Sequence, residues 1–151
     1  ALREAQESLI QTQAKAAGID IQIKNAPSDV FFDEWLPNGN FDIANFAWVG
    51  SPFALSGNQD AYRTGGGGNY GQYASKKVDD LFTQANGETD EAKSAELGNQ
   101  IDQQLTADMA TIPLYAKPTY LAVRNSFANV GDNATQEGPF WNSGLWAQKA
   151  A

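Results

Sequence analysis

The segment that decides the fold is Phe41-Asp42-Ile43-Ala44-Asn45-Phe46-Ala47-Trp48-Val49, which leads through Gly50-Ser51-Pro52 into a polar loop. Large apolar side chains occupy odd and even positions of segment 41–49, which is typical of a strand buried on both faces. The loop ends with Gly65-Gly66-Gly67-Gly68-Asn69-Tyr70-Gly71-Gln72-Tyr73. Long loops are usually functional or disordered, and a strand that delivers an aromatic residue into a loop often builds a binding site. We therefore expect Trp48 and the loop to form half of a ligand cleft.

The segments on either side of this stretch alternate between helical and strand patterns. Apolar residues at helical spacing predict a helix over residues 2–17 that Gly18 ends, and the alternation over 19–24 predicts a half-buried strand. Further patterns predict three helices and two strands, over residues 28–36, 75–87, 89–108, 112–115 and 119–123. We therefore predict a single α/β domain over residues 1–151, with a mixed sheet flanked by helices.

Two of these helices carry apolar faces. Ser75 is a candidate N-cap for the first, and Thr89 or Asp90 starts the second. Gly98 interrupts the second helix at a cost of about 1 kcal/mol relative to Ala, so we expect another element to pack closely against it. The residues at helical spacing are Val78, Leu81, Phe82, Ala85, Leu97, Ile101 and Leu105.

Two polar residues, Asp42 and Asn45, interrupt the apolar run of segment 41–49. Buried polar groups are nearly always hydrogen-bonded. We therefore expect each side chain to bond to a neighbouring backbone group.

Composition narrows the class of function. A chain of 151 residues with 42% apolar residues and four Trp is typical of a globular domain. The net charge of −8 and the isoelectric point near 4.3 disfavour nucleic acids and anionic membranes as partners. The sequence contains no Cys and no His, so it has no disulfide framework and lacks the commonest general base and metal ligand. We expect no metal, no cofactor and no catalytic residues.

Two motifs resemble catalytic or phosphate-binding patterns without meeting their requirements. The run Gly65–Gly68 lacks the Lys-Ser/Thr ending of a nucleotide-binding loop. Adjacent acids such as Asp79 and Asp80 point to different faces of a helix, which suits a solvated helix start better than an acid/base pair. The glycine run is more simply explained by a tight turn or by close approach of the backbone to a ligand.

Aromatic residues with interleaved amides give the stronger signal. Trp48, Tyr62, Tyr70 and Tyr73 cluster around the loop in sequence, with Asn58, Gln59, Asn69 and Gln72 between them. Ring faces with a few orienting hydrogen bonds suit a small organic ligand. The alternative is that Trp48 and one or two tyrosines simply fix the core or the loop.

The order of these segments resembles the C-terminal lobe of family 5 extracellular solute-binding proteins, the peptide-, dipeptide- and nickel-type receptors of ABC importers. The resemblance spans nearly the whole chain. It is carried by Ala17-Gly18-Ile19-Asp20-Ile21, Gly39-Asn40-Phe41-Asp42-Ile43-Ala44, Trp48, Asn69-Tyr70 with Tyr73, Val78-Asp79-Asp80-Leu81, Ile101-Asp102 and Ile112-Pro113-Leu114-Tyr115.

The resemblance implies a two-lobed, non-enzymatic protein that closes on a peptide or other small organic solute and delivers it to a membrane permease. This chain would supply the C-terminal lobe, and the N-terminal lobe would be absent from it. The family also implies an extracellular or periplasmic location, with the full-length protein anchored as a lipoprotein.

The predicted ligand-binding residues are Trp48, Gly50, Ser51, Asn69, Tyr70 and Tyr73. Trp48 would stack on the ligand, Ser51 and Asn69 would bond to it, and Tyr70 or Tyr73 would wall the cleft. Ser51 departs from the family pattern, because peptide-binding members place an acid three positions after the tryptophan, where it pairs with the peptide's amino terminus. A serine cannot neutralise an ammonium group, so sugars, opines and other organic solutes stay open as ligands.

Two other functions compete with solute binding. A carboxylate-dependent hydrolase would bring two acids together in a pocket, roughly 5 to 9 Å apart. A structural or interaction module without a ligand would pack Trp48 fully into the core and leave the glycine-rich loop as a surface excursion.

Overall fold

The structure, a computed structural model, describes residues 2–51, 53–133 and 135–149. It divides the chain into two units, Ala1–Trp48 and Val49–Ala151. That residues 1–151 form a single domain stays a prediction.

The first unit begins with helix α1, Leu2–Ala16, as the apolar spacing predicted. Gly18 follows with a φ of +84°, the left-handed conformation expected of a glycine that ends a helix. The side-chain amide of Gln11 then donates to the carbonyl of Ile21 at 2.7 Å, which ties the next segment back to the helix. A π-helical turn, Val30–Trp35, stands where a short helix was predicted, and Leu36 after it is buried.

The second unit contains two helices that pack against each other. Helix α2, Lys76–Gly87, is capped by Ser75, whose hydroxyl accepts from the Val78 amide. Helix α3, Glu91–Ala107, is capped by Asp90, whose carboxylate accepts from the Lys93 amide at 3.0 Å. Both caps satisfy amides that the helices leave without an internal partner, and both confirm the sequence prediction.

The apolar contact between α2 and α3 forms the core of this unit. Four residues of α2 and two of α3 are buried, and all belong to the predicted apolar faces. Partly buried side chains from the preceding loop pack against them, among them Leu55, Tyr62 and Tyr73. A Cβ at Gly98 would lie 3.1 Å from Leu55 Cδ2, so the predicted close packing at this glycine is confirmed. The buried residues are Val78, Leu81, Phe82, Ala85, Ile101 and Leu105.

Pairing between extended segments is short. Strand β1, Phe127–Ala128, pairs antiparallel with strand β2, Ala147–Gln148, and the 3₁₀-helical segment Gly138–Leu145 lies between them. A parallel bridge also joins Gly50 to Thr135.

The structure departs from the sequence at the longer predicted strands. Residues 19–24, 41–49, 112–115 and 119–123 are all described, and none of them forms a strand. Apolar side chains there are exposed: Ile43 by 71%, Val49 by 63% and Tyr120 by 92%. The physical reason is that a strand needs a neighbour whose backbone groups pair with its own, and apolar alternation carries no information about that neighbour. The mixed α/β sheet therefore stays a proposal.

Among the described residues, no helix combines the length and the apolar character needed to cross a bilayer.

The α2–α3 contact predicts a large effect of truncating Leu105. Leu105→Ala should lower the free energy of unfolding by about 2–5 kcal/mol, because the substitution removes buried methyl groups and leaves a cavity. Leu145→Ala is the matched control, since Leu145 is 66% exposed and its loss should change stability by less than about 0.5 kcal/mol. Urea titration followed by circular dichroism measures both. Equal effects of the two variants would contradict this account of the core.

Candidate ligand-binding site

Trp48 belongs to a cluster of aromatic rings in the first unit. Its ring centroid lies 5.3 Å from that of Phe46, at an interplanar angle of 71°. Phe46 in turn makes edge contacts with Phe31 at 6.2 Å and Phe32 at 5.9 Å. Such edge-to-face pairs are worth about 0.5–1.5 kcal/mol each beyond their buried area. Trp48 nevertheless stays 51% exposed, so a large part of its indole faces solvent.

Asn45 lies next to this cluster in sequence and differs from expectation. Its side-chain nitrogen is buried and has no hydrogen-bond partner. A buried donor without a partner costs about 1–3 kcal/mol, which the rest of the fold has to offset. The prediction that Asn45 bonds to a neighbouring backbone group is wrong for this nitrogen.

Asn69 holds the end of the glycine-rich loop in shape. Its side-chain nitrogen donates to the carbonyls of Arg63 at 3.0 Å and Tyr73 at 2.7 Å. Its side-chain oxygen accepts from the Tyr73 amide at 3.0 Å. An asparagine amide has two donor hydrogens, and both are used here. A ligand could therefore reach Asn69 only as a donor to the remaining lone pair of its oxygen.

Two carboxylates tie the same loop from outside the glycine run. Asp60 accepts from the amides of Gly67 and Gly68, each at 2.9 Å. Asp79 on α2 accepts from the Thr64 amide at 2.9 Å. That hydrogen bond is the main reason why the pKa of Asp79 lies below its usual value, and the nearby Arg63 and Lys76 lower this pKa further.

Tyr73 closes the loop against the helices. Its hydroxyl donates to the carboxylate of Asp108 at 2.6 Å, and its ring packs on the α2–α3 core. Partial burial raises the pKa of the Tyr73 phenol, and the Asp108 carboxylate raises it further. The pKa of Asp108 is lowered, chiefly by the hydrogen bond from Gln104 and then by that from Tyr73. Tyr73 thus connects the loop to the helices, and whether it also contacts a ligand stays a prediction.

The remaining predicted site residues are partly committed to local structure. The Ser51 hydroxyl accepts from the Phe53 amide at 3.2 Å. Gly50 is exposed and forms the bridge to Thr135. The Tyr70 amide donates to the Gly68 carbonyl at 3.0 Å, and its side chain is half-buried.

The structure therefore distributes the predicted site residues over both units. Trp48 belongs to the first unit, and Gly50, Ser51, Asn69, Tyr70 and Tyr73 belong to the second. Asn69 and Tyr73 are in direct contact, and ligand binding by the six residues stays a prediction. Sequence reasoning missed Asp60 and the rings of Phe31 and Phe32. An acid shortly before a run of glycine amides was the available signal for Asp60.

Within the described residues 2–51, 53–133 and 135–149, no group of three or more acids could hold a metal ion.

Part of the chain is similar in sequence to two kinds of mycobacterial protein. Over 114 residues, 76% of the chain, it is 33% identical to the oligopeptide-binding protein OppA of Mycobacterium tuberculosis and of Mycobacterium bovis. Over 148 residues, 91% of the chain, it is 30% identical to an uncharacterized lipoprotein of Mycobacterium leprae. The matched segments span only 19% and 27% of these relatives. No protein-family model matches the sequence.

The tight turn of the glycine run predicts that Gly66 cannot be replaced by alanine without strain. A Cβ at Gly66 would lie 2.1 Å from the Asp60 carbonyl oxygen, so the backbone has to move. Gly66→Ala should lower the free energy of unfolding by about 1–3 kcal/mol. Gly71→Ala is the control, because a Cβ there meets no atom within 4 Å. Urea titration compares the two variants, and equal stabilities would show that the loop does not turn in this way.

The lowered pKa of Asp79 predicts a loss of stability in acid. The unfolded chain has the ordinary Asp pKa of about 3.9. Because the folded pKa is lower, the carboxylate stabilises the fold above that pH, and this contribution is lost as pH falls through the folded pKa. Asp79→Asn should be less stable at pH 7 and lose less stability between pH 5 and pH 3. Thr106→Ala, an exposed and uncharged change on α3, should keep the wild-type slope. Parallel slopes for Asp79→Asn and the wild type in thermal melts would refute the assignment.

Proposed function

We propose that this chain is a ligand-binding part of an extracellular solute-binding protein of family 5, which captures a peptide or another small organic solute for an ABC importer. The proposed function is binding without catalysis. It rests on the 33% identity with an oligopeptide-binding protein over 114 residues.

The exposure of Trp48 supports this function over that of a module without a ligand. The hypothesis of a module without a ligand predicts Trp48 to be packed fully into the core, whereas Trp48 is 51% exposed. Its contact with Phe46 holds the indole from one side and restricts its rotation. A ring held in this way loses little further freedom when a solute stacks on it, which lowers the entropic cost of binding.

Several hydrogen-bonding side chains of the loop are already engaged within the protein, which limits how they could bond to a solute. Both donor hydrogens of Asn69 are occupied, and the Tyr73 hydroxyl is engaged by Asp108. Ser51 keeps its own hydroxyl hydrogen as a donor while its oxygen accepts from Phe53. We therefore assign to Ser51 a hydrogen bond to a ligand acceptor and to Asn69 a hydrogen bond from a ligand donor. Tyr70 would form the wall of the cleft.

The neutral side chain at position 51 indicates which class of ligand the site would favour. Ser51 stands where peptide-binding members of the family are expected to carry an acid. A neutral hydroxyl leaves a peptide's ammonium group without its ionic partner, which favours solutes whose recognised end is uncharged. Short peptides stay within the proposal because the relative that carries it is named an oligopeptide-binding protein.

The proposed context is a two-lobed protein outside the cell. The matched relatives are several times longer than this chain, which leaves room for an N-terminal lobe that would cover the ligand. The partners would be that lobe, the solute and an ABC permease in the membrane. The lipoprotein relative supports an extracellular or periplasmic location with a lipid anchor on the full-length protein.

The proposal predicts that Trp48 contributes much of the binding energy. A ligand at about one hundred times its dissociation constant stabilises a protein by about 2.7 kcal/mol, which a thermal melt detects. A panel of defined di- to pentapeptides and neutral sugars is screened against the full-length protein. Trp48→Ala should weaken binding of any hit by about tenfold or more, since buried tryptophans dominate interfaces.

The matched control is Trp141→Ala, because Trp141 is 54% exposed and lies outside the predicted site. It should leave the affinity unchanged. A panel in which no peptide or sugar raises the melting temperature would count against the proposed function, and equal losses in the two variants would count against the assignment of Trp48.

A further inference from the structure

The carboxylate of Asp60 holds the backbone of the glycine-rich loop by hydrogen bonds. Its two oxygens each accept one hydrogen bond, from the consecutive amides of Gly67 and Gly68, both at 2.9 Å. Hydrogen bonds to an ionised acceptor are roughly twice as strong as neutral ones. A single side chain thereby fixes the orientation of two neighbouring peptide groups.

The backbone of the loop also touches Asp60 directly. A Cβ at Gly66 would lie 2.1 Å from the Asp60 carbonyl oxygen, so the chain passes over this residue with no space for a side chain. Gly65, just before it, has a φ of +74°, which glycine adopts without strain. The loop is therefore folded onto Asp60 through both its side chain and its backbone.

The backbone of the glycine run, which Asp60 orients, in turn accepts hydrogen bonds from two of the predicted ligand-binding residues. The Gly66 carbonyl accepts from the Asn69 amide at 3.1 Å, and the Gly68 carbonyl accepts from the Tyr70 amide at 3.0 Å. The Asp60 carboxylate thus bonds to the glycine peptide groups, and these in turn bond to Asn69 and Tyr70.

The two ends of the loop are fixed separately. Tyr62 before the glycine run and Tyr73 after it pack on the α2–α3 core. Asp60 itself is exposed, so replacing it removes no buried apolar contact. Its effect should therefore be confined to the middle of the loop.

We infer that Asp60 is a positioning residue, which holds Asn69 and Tyr70 in the arrangement that receives the solute. This inference rests on the proposed function. It assigns to Asp60 no contact with the solute. Without the carboxylate, residues 65–70 would have to be ordered when the solute binds, and that ordering would weaken binding.

The first arm of the test measures the loop itself, by hydrogen exchange and mass spectrometry on the full-length protein. Residues 65–70 should exchange about tenfold faster in Asp60→Ala than in the wild type, as expected for losing roughly 1.4 kcal/mol of local protection. Asp60→Asn keeps one acceptor oxygen and should give an intermediate rate. Glu96→Gln, an exposed carboxylate-to-amide change on α3, should match the wild type.

The second arm measures binding of tri-alanine by calorimetry, at a temperature where all variants are folded. Asp60→Ala should bind about tenfold more weakly, and Asp60→Asn should lie in between. Ile101→Val is a mild core destabiliser and controls for stability, because a loss of stability alone should not change the affinity of the folded protein.

The outcomes separate the inference from the proposed function. If the wild type binds tri-alanine and Asp60→Ala binds equally well, or if exchange of residues 65–70 does not change, the positioning by Asp60 is overturned while the function stands. If the wild type does not bind tri-alanine, the proposed function fails for short peptides, and the inference that Asp60 positions peptide contacts is overturned whatever the exchange rates are.

Discussion

The apolar contact between helices α2 and α3 is the interaction on which the second unit depends. The core of that unit consists of six buried side chains from these two helices. The run Gly65–Gly68 has no side chains to bury, so the glycine-rich loop is anchored on this surface by the residues on either side of that run. Tyr62 and Tyr73 supply the contacts, one on each side of the glycine run. Any contact between the loop and a ligand therefore depends on the packing of α2 against α3.

Between these two tyrosines, polar groups replace apolar packing. Carboxylates of Asp60 and Asp79 accept from loop amides, and the Asn69 amide connects the loop's two arms. Backbone donors in a loop must find partners, and glycine offers no side chain to provide them. Ionised acceptors fill this need at the surface, where water competes with neutral ones. The acidic composition thus contributes to local order as well as to the net charge of −8.

The predicted helices form, whereas the longer predicted strands do not, and the difference has one physical reason. Helix spacing, caps and the glycine stop are properties of neighbouring residues, and α1, Ser75, Asp90 and Gly98 were all predicted correctly. Strand pairing depends on a distant partner, and residues 41–49 show no such pairing despite their apolar pattern. The candidate site could be predicted from the sequence only in part. Trp48 is 51% exposed although its segment has the pattern of a buried strand, and its contact with a ligand stays a prediction. The hydrogen bonds of Asp60 required knowledge of where the loop turns back.

The hydrogen bonds that shape the loop also limit how it could recognise a solute. The donors of Asn69 and the hydroxyl of Tyr73 are already engaged, and position 51 carries a neutral serine. In the second unit the half-buried ring of Tyr70 remains as a candidate contact, and in the first unit the indole of Trp48 is 51% exposed. Ring faces contribute apolar area that depends little on the identity of the solute, whereas charge pairs demand a particular ion. A site built in this way would select solutes by shape and apolar area, so its ligands should share size and flatness more than they share charge.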